Sequence, residues 1–142
     1  MSSTSDTSVR PGGSDTTTEG LRVVAEAQWL ESESDPERRH WLYAYRIVLA
    51  NEGDQPARLR SRHWIILDAD NRREEVRGPG VVGKTPRLMP GERFEYTSSC
   101  PLSTPWGTME GSYTFERDDG STFEARIGRF FLAPPKSAAA RR

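Results

Sequence analysis

The chain is 142 residues long, is 29% charged with a formal net charge of -1, and holds a single cysteine, Cys100. That length fits one domain with tails and allows a full core without staples; the near-zero charge excludes a global field that gathers nucleic acid or an anionic membrane, and the lone cysteine excludes an internal disulfide and a cysteine-based zinc site. No apolar run nears the roughly 20 residues that span a bilayer, and no basic-then-apolar N-terminus reads as a signal peptide, so a cytoplasmic location is expected.

Met1 to about Gly20 is Ser, Thr, Gly and Asp with almost nothing apolar. Such a stretch cannot bury enough surface to offset its ordering entropy. It reads as a disordered tail, residues 1–20, or a start-site extension. Residues 134–142 read as a second tail: Ala138-Ala139-Ala140-Arg141-Arg142 is too short to hold a helix alone.

Between the tails the apolar period is 2. Leu21, Val23, Ala25, Ala27 and Trp29 alternate, and after a polar turn through Pro36 so do Trp41, Tyr43, Tyr45, Ile47 and Leu49. Ala57 to Leu67 is a third strand in which Leu59 lies on one parity and Trp64 and Ile66 on the other. A bulge near Ser61 reconciles them. Arg72 to Arg77 reads as a charged edge strand. Phe94 and Tyr96 alternate after the Pro90-Gly91 turn, and Ser98 to Pro105 reads as a loop. Met109, Gly111, Tyr113 and Phe115, a hairpin turn at Asp118-Asp119-Gly120, then Phe123, Ala125 and Ile127 complete the pattern. Phe130-Phe131-Leu132 loses the alternation and is expected to be covered on both faces. The sum is about seven short strands and no helix. The expected fold is all-β: an antiparallel two-sheet sandwich over residues 21–133, immunoglobulin/fibronectin-III-like, with aromatics in place of a disulfide.

Gly78-Pro79-Gly80-Val81-Val82-Gly83-Lys84-Thr85 spells two nucleotide-binding patterns, G-x-G-x-x-G and G-x-x-x-x-G-K-[ST]. Both need a buried strand before the glycines and a helix after them, whose N-terminus faces the phosphates. Here a charged segment precedes the loop. Pro86 pushes Thr85 out of the helical region and Pro90 ends any helix within a turn. A P-loop or dinucleotide site is excluded. What remains is a shape-setting connection that needs positive φ, or an anion nest of backbone amides at Gly78, Gly80 and Gly83 with Lys84 beside it.

Other chemistry is sparse. His40 and His63 lie far apart with no metal-ligand spacing, and each reads as solvated or hydrogen-bonded. Cys100 has no base partner and reads as a small buried group. Ser98, Ser99, Ser103 and Thr104 form a hydroxyl-rich loop without triad logic. Arg58, Arg60 and Arg62 alternate as a basic stripe that Glu110 and Glu116 can balance. No catalytic residue, metal ligand or cofactor is assigned, and neither nucleic acid nor membrane is expected as a partner. Trp29, Trp41, Trp64 and Trp106 are too many for this core to hide. Trp106, in a Pro/Gly loop, is the one expected at the surface as a partner contact.

The ordered string Trp64-Ile65-Ile66, Gly78-x-Gly80-Val81-Val82-Gly83-x-x-Pro86-x-Leu88-x-Pro90-Gly91-Glu92, Tyr96-Thr97-Ser98 and Leu102-x-Thr104-Pro105-x-Gly107-x-Met109-x-Gly111-x-Tyr113 resembles the ApaG family from about Leu21 to Ala133. The resemblance implies a fibronectin-III-like sandwich. It implies a module that recurs in larger eukaryotic proteins, including F-box proteins and a polymerase-interacting protein. For bacterial members it implies a genetic link to cobalt resistance and magnesium efflux, and to a neighbouring diadenosine tetraphosphate hydrolase. It also implies a pyrophosphate role for Gly78, Gly80 and Gly83. The resulting expectation is a non-enzymatic protein-binding module, alternatively a binder of pyrophosphate or phosphorylated nucleotides through residues 78–85. A homodimer is compatible with either.

Overall fold

The structure is a computed structural model and describes residues 12–135. Nine strands form two antiparallel sheets: β1 (Ser14–Thr18), β2 (Leu21–Trp29), β3 (Trp41–Asn51), β4 (Ala57–Asp68), β5 (Arg73–Pro79), β6 (Arg87–Leu88), β7 (Arg93–Leu102), β8 (Gly107–Glu116) and β9 (Thr122–Leu132). One sheet runs β1-β2-β3-β7; the other runs β5-β4-β8-β9, with the short β6 also on β4. The expected all-β sandwich is therefore the fold. No helix among the described residues is long and apolar enough to cross a membrane.

The period-2 residues supply the core. Val23, Ala25, Tyr43, Ile47 and Leu49 from one sheet meet Leu59, Trp64, Met109, Tyr113, Phe115, Ile127 and Phe130 from the other, all buried. Trp64 is the aromatic hub. Its ring lies 5.3 Å from Tyr45, 6.2 Å from Tyr113 and 5.9 Å from Phe130, each edge-on. Edge-to-face pairs of this kind add about 0.5–1.5 kcal/mol each beyond the area they bury.

β4 slips register between Leu59 and Ser61 against β8. Arg60 is the extra residue, which carries Leu59 and Trp64 to the same face, as the parity break requires. The same slip puts Arg62 in phase with Trp64, so an arginine points toward the core.

Three expectations are corrected. The tail expected over residues 1–20 holds β1, which pairs with β2 from Ser14↔Ala25 to Thr18↔Leu21; residues 1–11 lie outside the described residues. β1 also meets β9. Ser14 Oγ donates to Gly128 O (2.7 Å), Arg126 N to Thr18 Oγ1 (3.2 Å) and Phe131 N to Gly12 O (2.9 Å). Backbone pairing and hydroxyls hold this strand, which is why apolar content does not reveal it. Second, the loop expected from Ser98 is strand: β7 runs on to Leu102 opposite Trp41. At an edge, Pro101 needs no ladder donor on its outer side. Third, Phe130-Phe131-Leu132 is not covered on both faces. A register slip opposite Glu110 restores the alternation, so Phe130 and Leu132 are buried and Phe131 is 49% exposed. The tail expected over 134–142 falls, from residue 136 on, outside the described residues.

Candidate functional site

The glycine loop hangs from the end of β5, whose Gly78 and Pro79 pair with Arg62 and Ser61. Gly80 has φ +61 and is buried, and a Cβ there would lie 2.5 Å from Lys84 O. Val81 is buried in the core. Val82 and Gly83 both have positive φ, and Val81 and Lys84 exchange two 2.8 Å backbone hydrogen bonds around them. Positive φ at both central residues is the mirror-image turn that matches strand twist. Val82 is a β-branched residue in that region, where such residues are outliers.

The loop turns its carbonyls, rather than its amides, toward charge. Arg62 Nη1 donates to Pro79 O and Gly80 O, both at 2.9 Å, and Arg58 Nη1 donates to Thr85 O at 2.8 Å. The Arg62 guanidinium lies over Gly78, where a Cβ would approach it to 2.9 Å. Each glycine thus has a local reason: Gly78 makes room for an arginine, and Gly80 and Gly83 take positive φ. Gly80 N donates to Arg60 O, and the Val81 and Lys84 amides are used within the turn. The ammonium group of the exposed Lys84 and the amides of Val82, Gly83 and Thr85 have no hydrogen-bond partner among the described residues.

Arg62→Ala should leave the Pro79 and Gly80 carbonyls short of a donor. The expected cost is about 1–3 kcal/mol, with faster amide exchange at Gly80 and Lys84. Hydrogen-exchange NMR checks this; unchanged loop protection would show that the turn holds itself.

Near Arg62 lies a cluster of buried tyrosines, Tyr45, Tyr96 and Tyr113, that feel its charge. Tyr96 and Tyr113 join their hydroxyls at 2.5 Å. Burial raises Tyr96, Tyr113 and Tyr45 above the usual phenol value, and the Arg62 charge only partly offsets it. Burial, then the Glu74 carboxylate, pushes the Cys100 thiol up to about 12. A thiol held protonated at neutral pH is no nucleophile. His63 Nε2 meets Glu75 Oε1 at 2.9 Å on an exposed face, and His40 closes a backbone bridge with Asp35. Among the described residues no group of three or more His, Cys, Asp and Glu comes together as a metal cluster.

The basic stripe does not form. Arg60 pairs with Glu116, Arg62 points inward, Arg58 holds the loop, and Glu110 pairs with Arg129.

Trp106 lies at the other end of β4, next to Gly107, which pairs with Asp68. It is 45% exposed. The loop beneath it is pinned: buried Thr104 accepts from Ala69 N (3.0 Å) and donates to Trp106 O (2.8 Å), and Tyr43 OH donates to Pro105 O (2.5 Å). Gly78, Gly80, Gly83 and Lys84 therefore share one loop, and Trp106 stands apart from them. Arg62 and Thr104 were not expected. Arg62 has a signal in the chain, since the parity break that calls for a bulge near Ser61, found at Arg60, turns it inward. Thr104 has none, because its two partners lie on separate turns.

An ApaG domain model matches residues 31–117. Protein ApaG of Anaeromyxobacter dehalogenans is 50% identical over 120 residues, covering 84% of this chain and 94% of that one. Protein ApaG of Dechloromonas aromatica is 48% identical over 124 residues, covering 87% and 98%. A crystal structure described as an ApaA protein of Bordetella pertussis superposes with a TM-score of 0.81 at 45% identity, covering 85% of this chain and 98% of that one.

Proposed function

This chain belongs to the ApaG domain family, and from that premise we propose that it is a non-enzymatic binding module that recognises a protein partner. The observation that carries this reading is Trp106: a large aromatic held at the surface by a loop whose hydroxyl and carbonyl groups are tied down. Rigid aromatic anchors contribute most of the energy at many interfaces and lose little entropy on docking. The protonated Cys100 and the widely separated histidines support a role without acid–base or nucleophilic chemistry.

Trp106→Ala should leave stability within about 1 kcal/mol, as for surface changes away from special features. It should weaken capture of a native partner by about 30-fold, the cost of a mid-range interface anchor. Affinity capture from the source cell with both proteins tests this. Equal recovery of the same partners, or none with either, would overturn the reading.

A second reading, binding of pyrophosphate or a phosphorylated nucleotide at residues 78–85, draws on the exposed Lys84 and the unengaged amides of Val82, Gly83 and Thr85. Titration with pyrophosphate, ATP and diadenosine tetraphosphate under amide NMR tests it. Unmoved resonances from Gly80 to Lys84 at millimolar ligand would end it.

A further inference from the structure

The four outer strands of the two sheets are not equally protected. β9 is covered by β1, through Ser14, Thr18 and Gly12. β5 carries Arg73, Glu74, Glu75 and Arg77 and ends in Pro79. Its Glu74 pairs opposite Ile66, on the core side of the sheet with Val76 and Trp64. An inward-pointing charge on an edge strand opposes addition of another strand.

β7 has no inward-pointing charge, and its one proline, Pro101, lies beyond the Arg93–Ser99 stretch. It runs for 10 residues, and its register against β3 from Trp41↔Leu102 to Ala50↔Arg93 has no slip. Its inward residues, Phe94, Tyr96, Ser98, Cys100 and Leu102, are uncharged. The direction of its backbone groups follows from one bond. Asn51 N donates to Glu92 O (2.9 Å), so residues of even number on β7 face β3. The N–H and C=O groups of Arg93, Glu95, Thr97 and Ser99 therefore point outward. No hydrogen bond among the described residues reaches them.

The gap beside this edge has a chemical character. Phe94, Ile66 and Val76 are partly buried apolar residues packed on the core. At the Leu102 end an opening of about 400 Å³ is lined by Ile66 and Leu102, with Arg39, His40, Arg72 and Arg73 against Asp68 and Glu74. Arg72 already pairs with Asp68, and Arg73 with Glu75, whereas Arg39 has no ion pair among the described residues.

We propose that β7 is a strand-addition site: an extended segment of a partner protein pairs with Arg93–Ser99 as a fifth strand of the β1-β2-β3-β7 sheet. Its alternate apolar side chains lie over Phe94, Ile66 and Val76, and an acidic residue at one end meets Arg39 in the opening. Main-chain bonds supply affinity in this mode, and the side-chain pockets supply choice. The inference rests on the protein-binding reading above and names a second surface for it.

The test uses the full chain and fluorescent decapeptides that alternate valine and threonine, with two glutamates or two lysines at one end. The glutamate peptide should bind at least about tenfold more tightly than the lysine peptide, one charge-assisted contact's worth. The glutamate peptide N-methylated at every second residue should not bind. Amide shifts should appear at Arg93, Glu95, Thr97 and Ser99 and be small at Tyr96 and Ser98. Thr97→Pro, which removes an outward donor at an edge where proline is tolerated, should cost about tenfold in affinity with the fold kept by circular dichroism.

Equal binding of the N-methylated peptide, or shifts away from β7, would overturn the site. So would a concentration-dependent dimer abolished by Thr97→Pro, which would make a second copy the occupant. If no peptide binds while a captured partner still binds the Thr97→Pro protein and loses the Trp106→Ala protein, the edge site fails and the binding-module reading stands. If neither variant alters capture, both fail.

Discussion

Raising the pH from 9 to 11 should unfold this domain steeply. Four core groups, Cys100, Tyr45, Tyr96 and Tyr113, are held above their ordinary values by burial. For each, the folded state keeps a proton that the unfolded chain releases near 9 for the thiol or 10 for the phenols. The resulting stability is fully present below those values and is lost as pH rises toward the folded ones. Each group still protonated in the fold adds a slope of about 1.4 kcal/mol per pH unit. Urea midpoints at pH 7, 9, 10 and 11 read this directly. Tyr96→Phe, which deletes one titrating group and leaves Tyr113 its hydroxyl, should flatten the slope. A midpoint constant to pH 11 would mean that water reaches the buried tyrosines without unfolding.

The second large effect is expected from Gly111→Ala. Gly111 pairs with Trp64 on β4 and with Ile127 on β9, at the register slip of β8. A Cβ at this position would sit inside the van der Waals envelope of the His63 carbonyl oxygen. That atom is backbone, so relief requires β8 to move off β4, the strand that carries the aromatic hub. Overpacking costs about 1–3 kcal/mol where side chains can yield, and here none can. A loss of about 3 kcal/mol or more is expected, a large part of the 5–15 kcal/mol that holds a typical domain. Thermal and urea unfolding check it. A shift below about 1 kcal/mol would show that the two strands separate at little cost. Ser112→Ala, one residue along, serves as the mild comparison.

Much of this fold is legible in the chain, and the reasons differ by element. β2, β3, β8 and most of β9 follow from period-2 alternation, because each has one face in the core. The bulge in β4 is legible as a parity break between Leu59 and Trp64. β5 is legible as an edge through its charges. β1 is not, since pairing and hydroxyl contacts hold it rather than burial. The end of β7 is hidden by Pro101, which an edge strand accepts. Phe131 misleads because a slip in register leaves no compositional mark.

The glycine loop shows the same limit at the candidate site. Its spelling matches phosphate-binding loops, and its flanking prolines correctly exclude their helix. What lies over Gly78 is Arg62, whose role depends on the bulge two residues before it, while Gly80 and Gly83 serve the turn through positive φ. Trp106 is legible as exposed from its Pro/Gly setting. The buried threonine that steadies its loop belongs to the same short stretch but acts on a turn far away in sequence. The free edge of β7 is a property of topology, and only strand order reveals it.

The hydrogen bond between Phe131 and Gly12 joins the outset of β1 to the close of β9. The polypeptide thus enters and leaves the sandwich side by side, on the flank opposite β7. A domain with adjoining entry and exit points can be spliced into a loop of a host protein without stretching it. Such a graft would leave the β7 edge unobstructed, whereas Trp106, next to the Gly107 that pairs with Leu132, would stand beside the junction.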